Sequence, residues 1–287
     1  MGGGGANLPL TSGRIFAEQS KGRARSGGDD QFSAIVTASL HRPAGTDWFG
    51  LFCYIPDPGS ENRCPRVDGG NHQKCYYLPQ RKFAMLGAQL DAPDYLSHLH
   101  KILEGIDLTA LQRWSDAIYD AWEHEQFVYI IGNGGSGTTA SHMAEDLGKS
   151  TLREEDLRDE SKRRLKVLSL TDNAGWLMAV GNDLGYDQIF VQQLMNYGQA
   201  GDLLIAISGS GNSPNVLEAV DWANRHDLKT FALTGFDGGK LRSLGQTGLH
   251  VPLDDMGMVE SVHLCLFHWV LNDLFARINH QGRYTSS

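Results

Sequence analysis

The sequence predicts a doubly wound α/β domain, a five-stranded parallel sheet flanked by helices and preceded by a helical pair. Three observations carry that expectation. After residue 85, short apolar runs alternate with amphipathic helical stretches, the order that builds a parallel sheet covered on both faces. Two glycine- and serine-rich turns each follow an apolar run directly and open a helical pattern. Charge and composition also change abruptly near the same point. Residues 1–84 hold 10 Lys/Arg and 7 Asp/Glu, whereas the whole chain of 287 residues carries a net charge of −9.

The segment 1–84 contains 13 of the 34 glycines and stretches such as SKGRARSGGDD, rich in turn formers and poor in aliphatics. Such composition buries too little apolar surface to offset chain entropy. It is expected to be a low-complexity, disordered extension, or a start placed too early with Met85 as the true initiator. Cys53, Cys64 and Cys75, with His72 nearby, are spaced by ten or more residues, wider than the usual zinc spacing of about two to four. The ordered domain is expected over 85–279, with a flexible tail at 280–287.

Within the domain, residues 95–106 place Leu96, Leu99, Ile102 and Leu103 on one helical face, and Leu108, Leu111, Trp114, Ile118 and Trp122 continue a second stripe after an Asp107 cap. Strands are expected at 127–131, 165–170, 202–207, 229–234 and 249–253. Helices are expected near 136–148, 186–199, 213–226 and 257–276, and the charged run 153–164 as a solvated excursion. No apolar run approaches the roughly 20 residues of a membrane helix. The acidic balance argues against a general nucleic-acid binder, which needs a basic face. A cytoplasmic protein with no membrane partner is expected.

The first turn, Gly132-Asn133-Gly134-Gly135-Ser136-Gly137, satisfies G-x-G-x-x-G, so a dinucleotide site must be weighed. Asp172 could serve as its acidic partner, but lies 35 residues beyond Gly137 where the pattern wants about 20. No nucleotide cofactor is therefore expected. The second turn, Ser208-Gly209-Ser210-Gly211-Asn212-Ser213, offers three hydroxyls at a helix start, where amides and macrodipole suit one terminal phosphate. Two such turns at carboxyl ends of strands fit ligand binding in open α/β folds. On the helix after the first turn, His142 and Asp146 are four apart and share a face. On the last helix Glu260 and His268 are eight apart, within about 80° of each other. Two imidazoles and two carboxylates can do acid–base work or hold a divalent metal.

The blocks GNGGSGTTASHMAEDLGK, LSLTDNAGWLMAVGNDLGY, GDLLIAISGSGNSPNV, LTGFDGGKL and VESVHLCLFH resemble, in order, the SIS (sugar isomerase) domain family, and within it the phosphoheptose isomerases. The resemblance runs over roughly 90–277 and leaves 1–84 unmatched. It implies aldose–ketose isomerisation of sedoheptulose 7-phosphate, with Asp146 and His268 as catalytic base and acid. It implies a zinc ion on each subunit, held by His142, Asp146, Glu260 and His268. It further implies a phosphorylated sugar bound by Asn133, Gly134, Gly135, Ser136, Asn182, Asp183, Ser208, Gly209, Ser210, Ser213 and Glu260, and a homotetramer with interfacial sites.

Against the family pattern, Asp146 replaces the usual Glu, Glu260 the usual Gln, Gly209 a Thr and Gly257 an Asp. These departures keep a second class open, a non-catalytic SIS module that senses a phosphosugar or binds a protein, like the replication-initiator-associating member. A nucleotide-dependent oxidoreductase is the third. His263 is expected at a subunit contact and Cys265 as a small buried residue.

Overall fold

The computed structural model describes residues 86–285, together with two short strands, Val36–Thr37 and Phe52–Cys53, that pair antiparallel. The chain divides into two units, Met1–Arg81 and Lys82–Ser287. Apart from that strand pair, the extension expected at 1–84 and its cysteine–histidine set lie outside the described residues.

The larger unit is a five-stranded, all-parallel sheet. Its strands are β1 (Phe127–Gly132), β2 (Lys166–Ser169), β3 (Leu203–Ser208), β4 (Lys229–Thr234) and β5 (Thr247–His250), in the order β2-β1-β3-β4-β5. Strand order reverses between β1 and β3, which opens a crevice at their carboxyl ends. Both end at one level, since Gly132 pairs with Ile207. β5 starts and ends earlier than its apolar run suggests. It can pair only while β4 lasts, and its last register partner is Thr234, before Pro252 removes a donor.

The helices are α1 (Ala92–Glu104), α2 (Leu108–Glu123), α3 (Gly134–Lys149), α4 (Ala174–Asp183), α5 (Val191–Tyr197), α6 (Pro214–Arg225), α7 (Leu241–Leu244) and α8 (Met256–Ile278). One apolar layer joins α2, α3 and α8 to the sheet through Trp114, Ile118, Met143, Leu147, Val262 and Phe267. The other packs α5 and α6 on the opposite face through Phe190, Leu194, Val216 and Ala219. The single helix expected at 186–199 is a short 3-10 turn followed by α5. α4 carries no helical stripe in the sequence and buries no residue, with Met178 70% exposed. The charged excursion is not simply solvated: Asp156 is buried and pairs with Arg153 and Lys162.

Two further expectations are corrected. His263 is buried within the subunit rather than at a contact, its Nε2 3.3 Å from the Thr234 carbonyl. Cys265 is exposed, because it falls on the outer side of α8. Near the chain's end Arg283 and Tyr284 both donate to Asp273, which also accepts from Ser115 at 2.5 Å. Burial pushes the Asp273 carboxyl up, yet the bonds from Ser115, Arg283 and Tyr284 outweigh it and hold it below the usual range. Among the described residues no helix is long and apolar enough to cross a membrane.

Candidate active site

The crevice between β1 and β3 is bounded by the two glycine- and serine-rich turns and by one face of α8. The first turn leaves β1 and enters α3 so tightly that a Cβ on Gly132 would meet the Ser136 carbonyl at 2.6 Å. In the second turn Gly211 sits at φ +63°, where the Gly238 carbonyl closes off any side chain. Ser208 Oγ and Ser213 Oγ stand 3.3 Å apart at the start of α6, and Ser210 lies between them in the turn.

The starts of α3 and α6 differ from those of the other long helices. Asp91, Asp107, Asn173 and Asp255 cap α1, α2, α4 and α8 by accepting from first-turn amides. Asn133 and Ser213 occupy the same position on α3 and α6 and make no capping bond. First-turn N–H groups have no partner inside a helix, so the start of α3 keeps donors and a positive dipole end for a ligand. At α6, where Pro214 carries no N–H and the Val216 amide is bonded to Asn215 Oδ1, the dipole end and the Ser208, Ser210 and Ser213 hydroxyls remain.

The ionisable cluster lies farther along α3, two to three turns beyond its start. His142, Asp146 and His268 can each offer one ligand atom, and those atoms lie within 4.8 Å of one another. His142 Nε2 is 3.2 Å from Asp146 Oδ2, and the two imidazole rings are 5.3 Å apart. Asp146 is largely sheltered, with a side chain 17% exposed, and His142 is open to solvent at 43%. Thus α3 supplies two members one turn apart and α8 the third. Glu260, expected in the same set, is not one of the three. Two turns before His268 on α8, its carboxylate lies directly over Gly135, where any side chain would have to displace it. Burial pushes the Glu260 carboxyl up.

Asn182 and Asp183 stand exposed at the end of α4, with Asn182 donating to Asp183 at 2.8 Å. Within the subunit they bond to each other rather than to either turn. Gly209 has an evident local reason: the Met256 sulfur at the start of α8 fills the space its side chain would take. The Asp172 carboxylate accepts from Ser141 and from Thr171 at the end of β2. Sequence reasoning missed Asn215 and Tyr186, both hydrogen-bonded to the Asn133 side chain. The only signal for Asn215 was its place two residues after the Ser213 cap, where an amide has no evident use.

The five-stranded parallel sheet flanked by helices is the fold of a sugar-isomerase-type domain, and the SIS domain family model matches residues 94–235. Phosphoheptose isomerase of Helicobacter pylori is 36% identical over 188 residues, covering 64% of this chain and 93% of that protein. Phosphoheptose isomerase GmhA from Neisseria gonorrhoeae superimposes with a TM-score of 0.58 at 28% identity, covering 66% of this chain and 98% of the other. A phosphoheptose isomerase from Francisella tularensis gives 0.57 at 28% identity, covering 64% and 95%. The chain belongs to the phosphoheptose isomerase family. It is an isomerase.

Proposed function

We propose that this chain is a cytoplasmic phosphosugar isomerase that converts sedoheptulose 7-phosphate to D-glycero-D-manno-heptose 7-phosphate through an enediolate. The observation that carries the reading is the His142–Asp146–His268 cluster, two of whose members stand on the helix that leaves the first uncapped turn, with a second uncapped start on α6. Ser208, Ser210, Ser213 and the dipole end of α6 hold the phosphate, with Ser136 assisting. That tether fixes the far end of the ketose and directs its carbonyl end toward His142, Asp146 and His268. Asp146 takes a proton from C1, the electron pair becomes the C1=C2 bond, and the carbonyl oxygen becomes an enediolate oxygen. Return of a proton to C2 from His268, with loss of the O1 proton, gives the aldose. Asn133 to Gly135, Gly209, Glu260, Asn182 and Asp183 complete the sugar's surroundings.

Two imidazoles and a carboxylate within ligand distance form a donor set of the kind zinc takes, so His142, Asp146 and His268 would hold the ion. When bound, zinc supplies Lewis-acid stabilisation of developing negative charge. The apolar exposure of α4 supports assembly into a homotetramer that covers it. The deciding experiment is sedoheptulose 7-phosphate turnover by the purified chain, with zinc and with chelator, beside its mass in solution. Aldose formation supports the reading. A folded protein that binds the sugar phosphate without turning it over would replace it with the binding-module alternative.

A further inference from the structure

The Asn133 backbone already has the extended conformation of a helix cap, φ −114° and ψ 148°, and Asn is among the strongest capping residues. Its side chain is nonetheless turned away from α3. Asn133 Nδ2 donates to Asn215 Oδ1 at 2.9 Å, and Asn133 Oδ1 accepts from Asn215 Nδ2 at 2.8 Å and from the Tyr186 phenol at 3.1 Å. Both lone pairs of that oxygen are thereby used, so it has no capacity left for the amides of Gly135 or Ser136. Asn215 is 1% exposed and its own Oδ1 also accepts from the Val216 amide at 3.0 Å, which fixes which way its amide faces. Turning either amide over would set donor against donor and acceptor against acceptor. The reciprocal pair also spans the crevice, since Asn133 closes the first turn and Asn215 lies in the first turn of α6.

We propose that Asn215, with Tyr186, is a positioning residue for the isomerisation: it holds the Asn133 side chain off the start of α3, keeping those amides open to the sugar's oxygens. The inference rests on the phosphosugar isomerase reading of the site. Neither residue need touch the reacting carbons. Without Asn215, Asn133 is free to swing onto its own helix and cap it, closing the first-turn donors to substrate.

The test uses the full-length chain with Asn215→Ala and Tyr186→Phe, each alone and combined with Asn133→Ala. It records kcat and KM for sedoheptulose 7-phosphate and the inhibition constant of inorganic phosphate. Asn215→Ala is expected to lower kcat about 30- to 100-fold, the scale of a misplaced catalytic geometry. Phosphate inhibition should stay within about twofold, because the Ser208, Ser210 and Ser213 hydroxyls make no bond to the Asn215 side chain. In the Asn133→Ala background, Asn215→Ala should change kcat by less than about twofold, since coupled residues are not additive. Additive losses, an unchanged kcat, or phosphate inhibition that weakens in step with kcat would each overturn the proposal. Tyr186 is exposed, so Tyr186→Phe tests the same coupling, at about 3- to 10-fold, should the buried substitution prevent folding. A crystal structure of Asn215→Ala separates this inference from the functional reading. Asn133 Oδ1 turned onto the Gly135 or Ser136 amide supports the proposal, and an unmoved side chain refutes it. No sugar phosphate turnover by the unaltered chain would instead remove the functional reading, leaving that crystal structure to decide the inference by itself.

Discussion

The polar groups at the carboxyl ends of β1 and β3 are treated differently from those between α2 and α8. In the crevice, helix starts lack caps, Glu260 has its carboxylate against a glycine, and His142 faces solvent beside Asp146. Between α2 and α8, the Asp273 carboxylate meets Ser115, Arg283 and Tyr284, and Asp107 and Asp255 cap their helices. The same residue types thus serve two ends. Where their hydrogen-bonding capacity is consumed internally they stabilise the fold. Where it is withheld they are available to a ligand, at some cost in stability.

Substitutions should therefore separate into two groups. The largest effect is expected for Asp146→Asn, which removes the proposed base with little change in shape. Turnover of sedoheptulose 7-phosphate should fall about 10³-fold, with the thermal midpoint nearly unchanged. Full activity in that variant would remove Asp146 from the mechanism. Asp273→Ala should do the reverse. Removing the buried carboxylate leaves Ser115, Arg283 and Tyr284 without their shared acceptor and should cost about 3 kcal/mol in urea unfolding, with kcat/KM preserved. A matching loss of turnover would show that the two regions are not independent.

His263 gives a pH-dependent version of the same contrast. Burial lowers its pKa to about 4 from an ordinary 6.5, so the folded chain keeps it neutral while the unfolded chain charges it. Between those values the unfolded state binds more protons. Stability is therefore intact above pH 6.5 and should decline as pH falls toward 4, by up to about 3 kcal/mol. Denaturation followed across that window, with His263→Gln as control, should show the decline flatten in the variant. The smallest effects come from a matched pair of caps. Asp107→Ala should lower stability by about 1 kcal/mol and leave KM alone. Ser213→Ala should barely affect stability yet raise KM about tenfold, because Ser213 makes no capping bond to lose. Equal stability losses at both positions would contradict the division.

Much of this arrangement was readable in the sequence, and the exceptions have physical reasons. The strands at 127, 203 and 229 announce themselves as continuous apolar runs because parallel strands are covered on both faces. His142, Asp146 and His268 were visible as helical spacings next to a glycine-rich turn, and the fold brings all three together. α4 was not visible, because Ala174–Asp183 buries nothing within the subunit and so shows no stripe. Nor did spacing alone separate Glu260 from the cluster; two helical turns of α8 direct it toward Gly135 instead. The Asn133–Asn215 pair was out of reach for the same reason as most tertiary contacts: 82 residues separate its members.

The division of the cluster between α3 and α8 bears on how the protein is made. His142 and His268 lie 126 positions apart, and synthesis at about 5–20 residues per second leaves roughly 6–25 s between them. During that interval the nascent chain has α3 without the helix that packs on it, and Met143 and Leu147, fully buried in the finished domain, lack part of their cover. The emerging polypeptide therefore presents an apolar surface to the ribosome's surroundings before it can present a catalytic one, a window in which chaperones would find it.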